Sequence, residues 1–243
     1  GVTIPFADNV SQALGTVTDS IYTSPDGNRF AKGSATYSVA RDMCEVQPQL
    51  LRLKTVIGYS PKEMLRYGPE CELSDWMVDH LMKDVGRITG KKVDVGIANL
   101  GGIRVNMPKG DITIDDIVSM FPFNNYLCYV ALKGSDLKVI FDQMARRSVQ
   151  PVGGVRLVVS DSKVDTLLVG DRPVNPDKTY GVATIDFLLD GGDSLYVAKN
   201  ARQLIITKTL VVDSMLPYVE SYKGRPVEYS KDGRVTVREE KKK

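Results

Sequence analysis

Three short runs of this chain combine glycine, aromatic and polar side chains in the manner of ligand-holding loops. The first is Asn99-Leu-Gly-Gly-Ile-Arg104. A glycine pair after a strand lets the backbone turn sharply and lets a ligand approach closely. Arg104 offers a planar fork for phosphate or carboxylate, and Asn99 offers both a donor and an acceptor. Alone, the run reads as a tight turn with a surface arginine, and it lacks the spacing of a dinucleotide fingerprint or a P-loop. The second run is Phe121-Pro-Phe-Asn-Asn125. Phe121 completes an apolar helical pattern, whereas Phe123 stands in a polar turn, as a packing anchor or as a stacking platform for a planar ligand. The third is Asp186-Phe-Leu-Leu-Asp-Gly-Gly-Asp193, where Phe187 follows a strand and Asp193 offers two acceptors suited to vicinal hydroxyls. Each run has a plain structural explanation. Together they suit a small ligand with a flat ring, hydroxyls and an anionic group, which are the parts of a nucleoside or nucleotide.

Composition narrows the chemistry. The 243 residues are 42% hydrophobic and 26% charged, enough to bury a sizeable core, and the net charge of +2 predicts neither a nucleic-acid groove nor a polybasic membrane anchor. No apolar run approaches the roughly 18–20 residues of a spanning helix. The three cysteines, Cys44, Cys71 and Cys128, make no disulfide framework or zinc pattern and are expected to be indifferent thiols, a Cys44–Cys71 bridge being the alternative. His80 is the single histidine, and its place in a helix argues for a packing role rather than metal ligation. No P-loop, Ser–His–Asp arrangement or pair of catalytic carboxylates at telling spacing is present. The first residue is Gly1 rather than methionine, compatible with leader cleavage or with truncation.

The elements that must carry these loops follow from periodicity. Val10, Leu14, Val17 and Ile21 predict a helix over 9–22, with Gly15 against it, then a turn at 24–28 and an interruption at Pro48. A helix is expected over 72–85, a strand over 92–100, and a helix over 113–121 capped by Thr113 with Asp116 three residues on. A strand over 126–134 leads into a helix capped by Ser135. Strands follow at 154–159, 164–169 and 179–184, then a helix over 209–222 kinked at Pro217, and a final strand pair in 224–237. Interleaved strands and helices without a linker predict an α/β or α+β domain over 51–238, preceded by an N-terminal segment over 1–50 and followed by a charged, disordered tail over 239–243.

In this order, "NLGGIR", "DITIDDIVSMFPFNN", "ALKGSDLKVIFDQ", "GGVRLVVS", "VNPDKTYGVATIDFLLDGGDSLY" and "GRV" resemble the C-terminal domain of the 5′-nucleotidases, and "IGYSPKEMLRYGPECELSDWMVDHLM" is similar to its opening segment. The resemblance covers about 55–236. It implies a single four-layer α/β/β/α domain with mixed sheets and a nucleoside site. In that site Phe123 and Phe187 sandwich the base, Asp193 holds ribose hydroxyls, and Asn99 and Arg104 line the ribose and phosphate side. Gly102, Gly192, Asn125 and Gly154 fall on further contacts, and Arg66 answers to a site arginine with its register displaced by one residue. Two positions depart from the family pattern: Asp186 and Asp190 stand where members carry asparagine. Their added negative charge bears on base preference and opposes a highly charged phosphate.

The resemblance also implies that hydrolysis belongs to a separate metallophosphatase domain with two divalent metals, whose Asp-x-His, Asn-His and Gly-His-x-His motifs this sequence does not contain. No cofactor or catalytic residue is therefore expected in this chain. Its expected partners are a nucleoside or nucleoside 5′-monophosphate and a metallophosphatase domain, on another chain or removed from this one, and not nucleic acid. Two functions stay open: recognition for a 5′-nucleotidase, or a stand-alone nucleotide-binding module. The family implies a periplasmic or extracellular location.

Overall fold

The computed structural model describes residues 13–238, and along the chain these fall into two compact units that divide between Thr55 and Val56.

In the first unit, β1 (Thr16–Val17), β2 (Ile21–Thr23) and β3 (Arg29–Ala31) form an antiparallel sheet packed against helix α1 (Ala35–Leu53). The helix expected over 9–22 is overturned for the residues described: only 13–14 are helical, and 9–12 lie outside the described residues. Gly15 turns the chain out of the helix with φ +73°, and the β-branched and aromatic residues after it favour strands. Ser34 caps α1 by accepting from Tyr37 N at 3.2 Å. Pro48, expected to interrupt the chain, lies inside α1, where it costs one backbone hydrogen bond.

The second unit is a mixed α/β fold with two mixed sheets and a smaller antiparallel pair. That pair joins β4 (Val56–Ser60) to β6 (Gly110–Thr113). The larger sheet runs β13 (Gln203–Leu210), β7 (Tyr126–Lys133), β12 (Thr179–Ile185), β5 (Val95–Ile97), β8 (Val152–Gly153); only β12 and β5 are parallel. The other runs β11 (Arg172–Pro173), β10 (Lys163–Val169), β9 (Val155–Ser160), β14 (Val235–Arg238), with β14 parallel to β9.

Helix α2 (Glu72–Thr89) buries Leu73, Trp76, Met77, Val78, Leu81 and Val85, and it packs on β5, β8 and β12. Its cap is unusual: Cys71 Sγ accepts from Ser74 N at 3.3 Å while Ser74 Oγ accepts from Cys71 N. Gly90, at φ +66°, ends the helix. Helix α3 (Ile114–Met120) has the expected capping box, with Thr113 N donating to Asp116 Oδ2 at 2.7 Å. Helix α4 (Gly134–Arg146) packs against β7, β12 and β10, so it touches both large sheets. Ser135 is not its cap. Lys133 holds that position without a side-chain bond, and the N–H groups of Gly134 and Ser135 donate to the carbonyls of Lys178 and Pro176. Helix α5 (Val211–Glu220) runs through Pro217.

The final strand pair is also corrected. Only 235–238 form a strand there, and its partner is β9, in parallel, which a tight hairpin turn cannot supply. Val227 N instead donates to Tyr59 O at 2.7 Å. Cys44, Cys71 and Cys128 are free thiols. No helix among the described residues is long and apolar enough to cross a membrane.

Candidate functional site

Strand direction brings the three runs to one edge of the larger sheet. β5 and β12 are parallel, so the chain leaves both at the same end, into Asn99 and into Asp186-Phe187. β7 is antiparallel to β12, with Leu127 opposite Ile185, so the segment before β7, carrying Phe123 and Asn125, reaches that end as well. This edge lies at the carboxyl ends of the parallel strands β5 and β12.

Hydrogen bonds then tie the loops pairwise. Arg104 N donates to Met120 O at 2.9 Å, joining the glycine run to the end of α3. Asp186 Oδ1 accepts from Tyr126 N at 3.1 Å and from Phe187 N at 2.9 Å, joining the second loop to the third. Asn99 Nδ2 donates to Asp193 Oδ2 at 2.9 Å, joining the third loop to the first. Arg66 belongs to the same surface, since its Nε donates to Leu100 O at 3.2 Å.

Around this closed set the side chains take distinct positions. Phe123 and Phe187 are 45% and 46% exposed, too open to serve as core anchors. The Arg104 guanidinium lies 5.8 Å from the Phe123 ring centroid. Asn99 is only 5% exposed, and its Oδ1 has no hydrogen-bond partner. Asp193 takes a left-handed conformation (φ 48°, ψ 31°), a costly state for a residue with a side chain, held here by its bond to Asn99.

The glycines are explained by close approach. A Cβ on Gly102 would stand 2.6 Å from Asn99 Oδ1, and one on Gly192 would stand 2.0 Å from Phe187 O. Asn125 O accepts from Val211 N at 2.9 Å, which fixes its backbone beside the aromatic loop. The Cys128 thiol is pushed up to about 12 by burial and secondarily by the Asp186 charge, so it remains a thiol.

Gly154 does not join this group. Gly153 pairs with Gly96 and Val152 with Ile97, so Gly154 lies at the opposite end of β5 from Asn99. It lines a cavity of about 320 Å³ with Asp79, Arg156, Asp171, Asp232 and Arg234. Its φ of +70° and its approach to Asp94 O are turn requirements.

Two contributors escaped the sequence reading. Gln150 is buried, and its Oε1 accepts from Leu100 N at 3.0 Å, orienting the glycine run. The Tyr196 ring lies against Gly191 in the third loop. Tyr196 closes the "DFLLDGGDSLY" run and could have been singled out there; Gln150 had no signal beyond its chain neighbour Pro151.

A family model described as 5′-nucleotidase, C-terminal domain, matches residues 56–200, more than half of the chain. The chain belongs to this family. Protein UshA of Yersinia enterocolitica is 28% identical over 134 residues, spanning 53% of this chain and 24% of that protein. Endonuclease YhcR of Bacillus subtilis is 27% identical over 202 residues, spanning 77% of this chain and 16% of that protein. The 5′-nucleotidase precursor from Thermus thermophilus superimposes with a TM-score of 0.72 at 22% identity, over 87% of this chain and 46% of the solved one. This C-terminal-domain chain thus spans less than half the length of each of these proteins.

Among the described residues of this 5′-nucleotidase C-terminal domain, neither His80 nor the cluster of Glu70, Asp75 and Asp232 fits a two-metal phosphatase centre. His80 Nε2 is 2.9 Å from Ser214 Oγ, which donates to Asp84 Oδ2 at 2.6 Å, and the His80 ring stacks on Tyr218 at 3.8 Å between centroids. Burial lowers its pKa, so it is a neutral tie between α2 and α5. Glu70, Asp75 and Asp232 bring carboxylate oxygens within 4.8 Å of one another, but Arg234 already sits among them. Arg234 Nε is 3.4 Å from Asp75 Oδ2 and 2.9 Å from Asp232 Oδ1, and its Nη1 is 2.7 Å from Asp79 Oδ1. A divalent cation there would face the guanidinium.

Proposed function

We propose that this chain recognises a nucleoside or nucleoside 5′-monophosphate for a 5′-nucleotidase. The observation that carries the reading is the closed set of three loops at one sheet edge, presenting two half-exposed phenylalanines. In this reading the base lies between Phe123 and Phe187, where every nucleobase has a π-face to offer. Asp193, oriented by Asn99, accepts from the ribose hydroxyls. Arg104 and Arg66 face the phosphate side, and Gly102 and Gly192 let the sugar approach the backbone. Asn125 stands beside the base. Hydrolysis is left to a metallophosphatase domain, and the family supports a site of action outside the cytoplasm.

Isothermal titration with adenosine and AMP tests the binding. We expect saturable heat for at least one of them, and no heat at millimolar concentration refutes the site. The same preparation is expected to release no phosphate from AMP with added magnesium or manganese, and release that co-purifies with the chain would overturn the division of labour.

A further inference from the structure

We propose that Asp186 is a positioning residue that sets the separation of the two aromatic platforms. The inference rests on the reading above for its functional meaning, and on geometry for its structural part. The β7–β12 ladder ends at the Leu127–Ile185 pair. Beyond it the two strands have no further rungs, and the Tyr126 N–H donates to a side chain rather than to a carbonyl of β12. One oxygen of Asp186 takes that rung's place: Oδ1 accepts from Tyr126 N at 3.1 Å and from Phe187 N at 2.9 Å. Tyr126 is three residues from Phe123, and Phe187 is the other platform, so a single atom joins the segments that carry both rings.

Both bonds use the same oxygen, which makes the position testable. Asparagine keeps Oδ1 and therefore keeps both bonds, while alanine removes them.

The experiment is amide hydrogen exchange by NMR on the whole chain, with adenosine titration alongside, for wild type, Asp186→Ala and Asp186→Asn. The wild-type amides of Tyr126 and Phe187 are expected to be protected although both residues are exposed. Asp186→Ala is expected to speed exchange at both amides at least tenfold and to weaken adenosine binding at least tenfold. Asp186→Asn is expected to restore both to within about threefold of wild type. Three results overturn the proposal: unprotected wild-type amides, exchange in Asp186→Ala equal to wild type, or an asparagine variant as impaired as the alanine one. If wild type binds no nucleoside, the functional reading fails while the exchange data still decide whether Asp186 holds the loops. If the alanine variant does not fold, wild-type protection and the asparagine variant decide it.

Discussion

Replacing Asp75 by asparagine should flatten the pH dependence of folding in the second unit. Asp75 is 2% exposed, and burial raises its pKa from an ordinary 3.8 to about 8, with Arg234 opposing and Glu70 adding to the rise. The folded chain thus holds a proton on Asp75 that the unfolded chain releases above about pH 4. The stability this contributes is fully present below 3.8 and is lost progressively as pH rises to about 8. One such proton gives a slope of up to about 1.4 kcal/mol per pH unit, or about 3 kcal/mol between pH 5.5 and 7.5. His80 acts in the opposite sense. Its lowered pKa gives stability that is present above 6.5 and lost as pH falls, but it is common to both proteins and cancels in the difference. Asp232 is held below its ordinary value, chiefly by its hydrogen bond to Arg234, and titrates beneath this window. Urea unfolding followed by the fluorescence of the single tryptophan, Trp76, reports on this unit. Wild type should lose stability from pH 5.5 to 7.5 and the asparagine variant should lose much less. Parallel pH profiles for the two proteins would refute the reading that burial keeps Asp75 protonated in the folded chain.

Phe187→Ala should weaken nucleoside binding by about 1–3 kcal/mol, roughly fivefold to over a hundredfold. Phe123→Ala should do the same and lose a further ~0.5–1 kcal/mol of cation–π contact from Arg104. Neither should move the melting temperature much, because both rings are about half exposed; calorimetry and thermal melts separate the two effects. Gly192→Ala places a Cβ 2.0 Å from Phe187 O and should abolish binding in protein that still folds. Gly154→Ala meets Asp94 O at 2.2 Å and should lower the melting temperature while leaving the affinity of the folded fraction intact. Equal affinity losses in the two glycine variants would argue against separating their sites.

The second unit was legible where one periodicity dominated. The capping box of α3, the apolar face of α2 and the strands β7 and β12 all follow from local patterns that tertiary packing reinforces. The first unit was not, because Val17 and Ile21 sit at helical spacing by coincidence while Gly15 and the Thr-rich run set the strands. The cap of α4 escaped because its orphan N–H groups are met by carbonyls of the 175–178 segment, far away in sequence. At the site, residue types were readable and distances were not. In the sequence Asp186 stands out for its charge; in the fold it is a hydrogen-bond acceptor for two backbone groups. Gly154 lies apart from the other site residues because β8 runs antiparallel to β5, which sends the chain away from Asn99, and the sequence does not reveal that direction.

The order of the motifs along the chain is therefore a consequence of sheet direction. Parallel β5 and β12 deliver the loops that follow them to one edge, and antiparallel β7 delivers the loop that precedes it. Such loops, at strand ends, would ordinarily be mobile. Here each is fastened to the next, by Arg104 N to Met120 O, by Asp186 to Tyr126 and Phe187, and by Asn99 to Asp193. Each bond is worth only about 0.5–1.5 kcal/mol net. In the proposed reading, their combined effect is to order the loops before a ligand arrives, so that less of the binding energy goes into ordering them. In that reading the left-handed conformation of Asp193 serves the site: the strain is met by a bond inside the protein, and the carboxylate is left in place for hydroxyl donors.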